Sequence, residues 1–226
     1  MKECPAIIAA LPREVSALVK GWERRQLPGQ IMVYTNGYAV VACAGMGADR
    51  ATLAAEAAMA AMPVTALISV GLAGACNSAL GVGKVVRAGV VIDYDTGERF
   101  NNPQLEQVLV STDAVASVSE KARLRGLYNA DAVDMEAATV ADLARTHGLY
   151  FQAIKAISDT ADFEVDGLSK FATSDGQFRE GAFALHAALR PMMWGKVIAL
   201  GRNSGKALTA LTEALRVELD WYRKRD

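Results

Sequence analysis

Short apolar runs alternate along this chain with alanine-rich amphipathic stretches, the pattern of strands and covering helices in an α/β fold. Ala6 to Ala10 reads as a first strand that ends at Leu11-Pro12. Arg13 to Trp22 follows as a helix with Val15, Leu18 and Val19 on one side. Gln30 to Tyr34 and Tyr38 to Cys43 read as strands joined at Asn36-Gly37, residues that tolerate the positive φ of a tight hairpin. After Gly45-Met46-Gly47, Ala48 to Ala61 predicts a helix packed closely between two surfaces, and Pro63 stops it. Thr65 to Val70 is a continuous apolar strand running into Gly71-Leu72-Ala73-Gly74, which reads as a turn.

Further strands are expected at Lys84 to Val86, Gly89 to Ile92 and Val108 to Ser111, with a loop at Asn101-Asn102-Pro103. Val133 to Thr146 predicts a helix with acids in its first turn and Gly148 beyond its end. Tyr150 to Ile157 is the next buried strand, and Ser158 to Ser174 reads as a long irregular connection of the kind that carries binding sites. Two helices close the chain, the last with Leu208, Leu211, Leu215 and Leu219 at helical spacing after Asn203-Ser204-Gly205. With no linker, repeat or low-complexity segment in 226 residues, a single domain over 1–226 is expected.

Charge and cysteine usage exclude several classes. With 24 basic against 25 acidic residues and no basic patch, the chain offers phosphate backbones no general attraction, so no nucleic-acid partner is expected. Cys4, Cys43 and Cys76 lack both CxxC spacing and histidine partners, which argues against zinc and against a disulfide framework. His147 reads as a helix-end cation and His186 as a packed helix residue, so no metal constellation is expected. No run approaches the roughly 20 apolar residues of a membrane span. Met1-Lys2-Glu3-Cys4-Pro5 does not resemble a signal peptide, so the cytoplasm is the expected location.

In an open α/β sheet ligands gather at the carboxyl ends of the strands, which singles out five places. They are Leu11-Pro12-Arg13-Glu14, Gly45-Met46-Gly47, Gly71-Leu72-Ala73-Gly74, Asp134-Met135-Glu136 and Ser158-Asp159. A dinucleotide fingerprint is missing, because Arg50 stands where a third glycine is needed and Gly71 to Gly74 has the wrong spacing. The glycines read either as plain turns or as turns that also bring backbone N–H groups to a ligand. Each acid has a bland alternative taken singly: Asp134 and Glu136 as first-turn acids, Asp159 as a turn residue, Glu14 as a solvated helix residue. Their joint occurrence in this order is what favours a site.

The ordered set resembles the nucleoside phosphorylase superfamily, in particular its methylthioadenosine/S-adenosylhomocysteine nucleosidases and its hopanoid-associated phosphorylases. The resemblance rests on Ala9-Ala10-Leu11-Pro12-Arg13-Glu14-Val15, on the glycine segments, and on Val133-Asp134-Met135-Glu136-Ala137-Ala138 followed by Ala156-Ile157-Ser158-Asp159-Thr160-Ala161-Asp162. Lys121 to Leu127 and Pro191-Met192-Met193-Trp194 look more like the hopanoid-associated branch. The resemblance implies a three-layer phosphorylase-like α/β fold, a central mixed twisted sheet flanked by helices. It also implies cleavage of the N-glycosidic bond of a purine nucleoside, adenine above all, with release of the base.

Cleavage through an oxocarbenium-like sugar needs an acid for the leaving base and a carboxylate near the ribose. By the resemblance, Asp159 serves the purine N7, which requires a raised pKa, and Glu14 activates the attacking water. Glu136 accepts from the ribose hydroxyls, Met135 packs on the sugar, and Ser158 holds Asp159 or touches the base. Gly47, Gly71, Leu72 and Val115 complete the substrate contacts. Leu72 and Val115 depart from the family, whose members carry a polar residue and an aromatic there, implying a greasier sugar pocket and weaker stacking on the base. That departure also motivates a nucleoside-binding homologue with little catalysis. No cofactor is implied, with phosphate as the one possible co-substrate, and Arg13, Arg50 and Arg87 are its candidate ligands. Hydrolysis is favoured because no arginine precedes the glycine segment. A small-molecule nucleoside is the expected partner, and the alanine-rich helices together with the resemblance imply a homo-oligomer.

Overall fold

The computed structural model describes residues 4–163 and 191–224. Ten strands form one mixed sheet: β1 Pro5–Ala9, β2 Glu23–Leu27, β3 Ile31–Thr35, β4 Val40–Cys43, β5 Ala66–Ala75, β6 Val85–Asp93, β7 Arg99–Asn101, β8 Gln107–Ser111, β9 Ala132–Asp134 and β10 Tyr150–Asp159. The order β10-β6-β8-β9-β5-β1-β4-β3-β2 is joined by a further pairing of β10 with β5, so five strands close into a small barrel. β1, β4, β3 and β2 extend the sheet from it. The helices are α1 Pro12–Val15, α2 Ala48–Ala61, α3 Val118–Tyr128, α4 Ala137–Thr146 and α5 Pro191–Arg223.

Helices cover both faces. On one, Ala51, Ala54, Ala55 and Ala58 of α2 pack on Ala6, Ile8, Val40, Ala42 and Leu67 and on Val140 and Ala144 of α4. Alanine along the whole contact lets three layers approach closely. On the other face, Ala207, Leu211, Leu215 and Leu219 of α5 cover Ile7, Val41, Ile68, Val70 and Ile154. β5 and β10 are sandwiched between these layers, which is why both read as continuous apolar runs.

Several elements differ from the sequence expectation. The helix expected over Arg13 to Trp22 is one turn, Pro12–Val15, although Val15, Leu18 and Val19 still reach one core. β2 went unseen because all five of its residues, Glu-Arg-Arg-Gln-Leu, are exposed on a sheet edge, where charge blocks further pairing. Gly71 to Gly74 is no turn. β5 continues through it, paired to Lys155, Ala156, Ile157 and Asp159 of β10. Lys84 to Ile92 gives one strand, Val85–Asp93, in place of two, and the last helix starts at Pro191 and runs through Asn203-Ser204-Gly205 where its start was expected. Val133 and Asp134 end a strand, and the helix starts after Glu136. Ser158 and Asp159 likewise finish β10 and do not open a loop, while residues 164–174 of that expected connection and His186 lie outside the described residues.

Candidate active site

The carboxyl ends of β1, β5, β9 and β10, together with α3, bring four acids and two lysines into two groups. In the first, the turn after β1 holds Glu14 by an N–H from Leu11 to Oε2 at 2.9 Å, and the Leu72 N–H reaches Oε1 at 3.3 Å. Gly71 makes this approach possible: it has φ +146°, and a Cβ there would sit 3.1 Å from Glu14 Oε1. The Gly47 N–H, at the start of α2, donates to Glu136 Oε1 at 2.9 Å. Asp134 accepts from the Ser111 hydroxyl at 2.6 Å and from the Ala137 N–H at 3.0 Å, which fixes the start of α4. Lys155, with no exposed surface, sits among these acids, 2.8 Å from Asp134 Oδ2 and 3.3 Å from the Val70 carbonyl oxygen to which it donates.

This grouping sets the electrostatics. Burial raises the Glu14 pKa, with the Leu11 N–H and Lys155 pulling the other way. Burial likewise pushes Glu136 up to about 7, opposed by Lys155 and reinforced by Asp134 and Glu14. Burial works against the Lys155 ammonium, but Asp134, Glu136 and Glu14 together hold its pKa above the ordinary value. A cluster with one lysine and three carboxyls therefore retains a proton into the neutral range, which suits it to exchange protons with a water molecule.

The second group is built on Gly74. A bulge between Ile157 and Asp159 turns Asp159 toward Gly74, where a Cβ would lie 3.0 Å from Asp159 Oδ2. Ser158 donates to Asp159 Oδ1 at 2.6 Å, and the buried Lys121 of α3 forms an ion pair with Oδ2. The sequence reading placed Asp159 in an irregular connection, and the structure instead ends β10 on it and gives it an ammonium partner. Gly71 and Gly74 lie roughly 10 Å apart along β5 at ~3.3 Å per residue, a separation on the scale of a nucleoside. Hence Glu14 and Asp159 flank one strand.

A cavity of about 510 Å³ opens beside the first group, lined by Met46, Gly47, Arg50, Met135, Ser111 and Thr112 among others. Neither Glu136 nor Asp159 is among its lining residues, though Gly47 binds Glu136 directly. Four aspartates, Asp49, Asp93, Asp95 and Asp113, also face it, so its wall is more acidic than the greasy pocket inferred from Leu72. The Leu72 side chain packs against the core and only its N–H reaches the site. Val115 is exposed and outside the cavity lining. Of the proposed phosphate ligands, Arg13 is exposed, and Arg50 spends donors on the carbonyl oxygens of Ala44 and Gly29.

A sequence profile described as the Phosphorylase superfamily matches residues 6–117 and 104–192. The chain belongs to this superfamily. Among relatives within reach, the aminodeoxyfutalosine nucleosidase of Campylobacter jejuni is 25% identical, with 69% of this chain and 85% of that protein covered. The fold is also that of solved nucleosidase structures. The 5′-methylthioadenosine nucleosidase of Arabidopsis thaliana superposes with a TM-score of 0.76 at 16% identity, covering 100% of this chain and 98% of that one. The 5′-methylthioadenosine/S-adenosyl homocysteine nucleosidase of Helicobacter pylori, solved with a small-molecule ligand, gives 0.73 at 17% identity, covering 96% and 98%.

Neither lysine was read as a site residue from the sequence. Lys155 had a visible signal, a cation in the middle of the apolar run Ala153-Ile154-Lys155-Ala156-Ile157 of a strand buried on both faces. A charge there must find a partner. Lys121 lies in a helix with several other charged residues and gave no such signal.

Proposed function

We propose that the chain is a purine nucleosidase that hydrolyses the N-glycosidic bond of a 5′-substituted adenine nucleoside. The reading is carried by the convergence of the Glu14 and Glu136 carboxyls around a buried lysine that Asp134 already neutralises. Glu14, held by two backbone N–H groups, takes the proton of the attacking water. Glu136, fixed by Gly47, accepts from the ribose hydroxyls, and Met135 packs against the sugar. Asp159, steadied by Ser158, passes a proton to N7 of the departing base. The acid-walled cavity beside Met135 accommodates the 5′ substituent. Gly71 and Gly47 serve as close-approach backbone.

Water is favoured over phosphate by charge. A phosphate dianion needs several convergent cations. Next to Glu14 and Glu136 the buried cation is already engaged, and the Arg50 guanidinium is bonded to carbonyl oxygens. The names of the relatives, a methylthioadenosine nucleosidase and an aminodeoxyfutalosine nucleosidase, support a nucleoside substrate. The reading takes the chain as one domain, active without a cofactor, in the cytoplasm and as a homo-oligomer. No helix among the described residues is long and apolar enough to cross a membrane.

The test incubates the protein with methylthioadenosine, adenosylhomocysteine, aminodeoxyfutalosine and an adenosyl hopanoid, with and without phosphate, and identifies both products. Free adenine and free sugar from the wild type, with no turnover by Asp159→Asn, are expected. A sugar 1-phosphate would replace hydrolysis by phosphorolysis. Stabilisation by the nucleosides without any product would leave a binding protein in place of an enzyme.

A further inference from the structure

Lys121 belongs to α3, away from the strands that carry the acids, yet its side chain is 2% exposed. All three ammonium hydrogens are used. Nζ donates to Asp159 Oδ2, to the Thr160 carbonyl oxygen at 3.0 Å and to the Phe163 carbonyl oxygen at 3.1 Å. One cation thus ties the carboxyl group at the end of β10 to the first residues of the chain beyond it. β5 leaves room for this, since a Cβ on Gly74 would lie 3.0 Å from both Asp159 Oδ2 and Lys121 Cε. Burying a lysine is costly unless its partners are in place, and here they are the acid and its own following segment.

We propose that Lys121 is a positioning residue for the acid: its ammonium fixes the Asp159 carboxyl group and shares with it the proton that passes to the departing base. The inference rests on the nucleosidase reading. In that reaction the C1′–N9 bond breaks and its electron pair goes to the purine. A Lys121 N–H bond breaks as its proton moves through the Asp159 carboxyl group to form N7–H, while the water oxygen bonds to C1′ and its proton goes to Glu14. Asp159 is therefore a carboxylate before and after the step, the proton it passes on coming from the ammonium. A donor already in contact with it delivers that proton with no reorganisation, and the Ser158 hydroxyl on Oδ1 holds the carboxyl group in place for the transfer.

The test compares wild type, Lys121→Met, Gly74→Ala and Asp159→Asn on an adenine nucleoside and on 4-nitrophenyl β-D-ribofuranoside, whose nitrophenolate leaves without a proton. Lys121→Met should lower kcat on the nucleoside by ~100-fold, the low end of what proton transfer contributes, with KM little changed. Its rate on the nitrophenyl riboside should stay near wild type, which also reports a folded protein. Gly74→Ala crowds the same two atoms without removing a charge and should show the same dependence on leaving group. Equal losses on both substrates, a change confined to KM, or wild-type kcat on the nucleoside in Lys121→Met would overturn the proposal. Should Asp159→Asn keep wild-type turnover of the nucleoside, the nucleosidase assignment of Asp159 fails instead. Loss in Asp159→Asn without loss in Lys121→Met removes the role of Lys121 alone.

Discussion

Replacing Glu136 by Gln should remove a pH-dependent part of the stability. In the folded protein, burial foremost raises the Glu136 pKa from the ordinary 4.5 to about 7. Through that range the folded state keeps a proton that the unfolded chain has released, so its stabilising effect is complete below pH 4.5 and is lost as pH rises through 7. At about 1.4 kcal/mol per tenfold change in proton affinity, the whole effect is roughly 3 kcal/mol. This is an upper limit, because the side chain retains some contact with solvent. Gln carries no titrating proton, and its amide oxygen can still accept the Gly47 N–H, now at 2.9 Å. Urea unfolding of both proteins at pH 5 and pH 8 isolates this group, since other titrations largely cancel in the difference. The variant should gain roughly 2–3 kcal/mol on the wild type between those pH values. A difference that stays constant within about 0.5 kcal/mol would show that the buried cluster does not hold this proton.

Lys155→Met leaves Glu14, Asp134 and Glu136 without their shared cation and should cost about 3–5 kcal/mol by urea unfolding; a loss below ~1 kcal/mol would show that the acids are neutralised in another way. Gly71→Ala places a Cβ 3.1 Å from Glu14 Oε1 at a φ of +146°, so strain of about 1–3 kcal/mol is expected. Steady-state kinetics of that variant should show turnover falling further than the change in Tm accounts for, because the displaced group is Glu14 itself.

Local chemistry made some elements legible in the sequence. Ala48–Ala61 was readable because a run of alanine flanked by Gly47 and Pro63 has one low-energy conformation. The Asn36-Gly37 turn was readable because Asn36 Oδ1 accepts the N–H groups of Tyr38 and Ala39 within the turn itself. Elements fixed by distant partners were not. Gly71 to Gly74 stays extended because β10 pairs with it, and Asn203-Ser204-Gly205 stays helical where Ala207, Leu211 and Leu215 on the same helix are clamped against the sheet. The same division runs through the site. Carboxylates were recognisable by type and order, but what governs them, Lys155 and Lys121, arrives from elements whose pairing only the folded chain reveals.

In the proposed site two acids grip the two halves of one nucleoside, which a structure with a non-hydrolysable adenine nucleoside analogue would show or refute. Glu136 should then lie within hydrogen-bonding distance of the sugar hydroxyls and Asp159 within hydrogen-bonding distance of N7, with Glu14 on the water side of C1′. An analogue lying wholly in the cavity between Asp49 and Asp113, touching neither Glu136 nor Asp159, would contradict it.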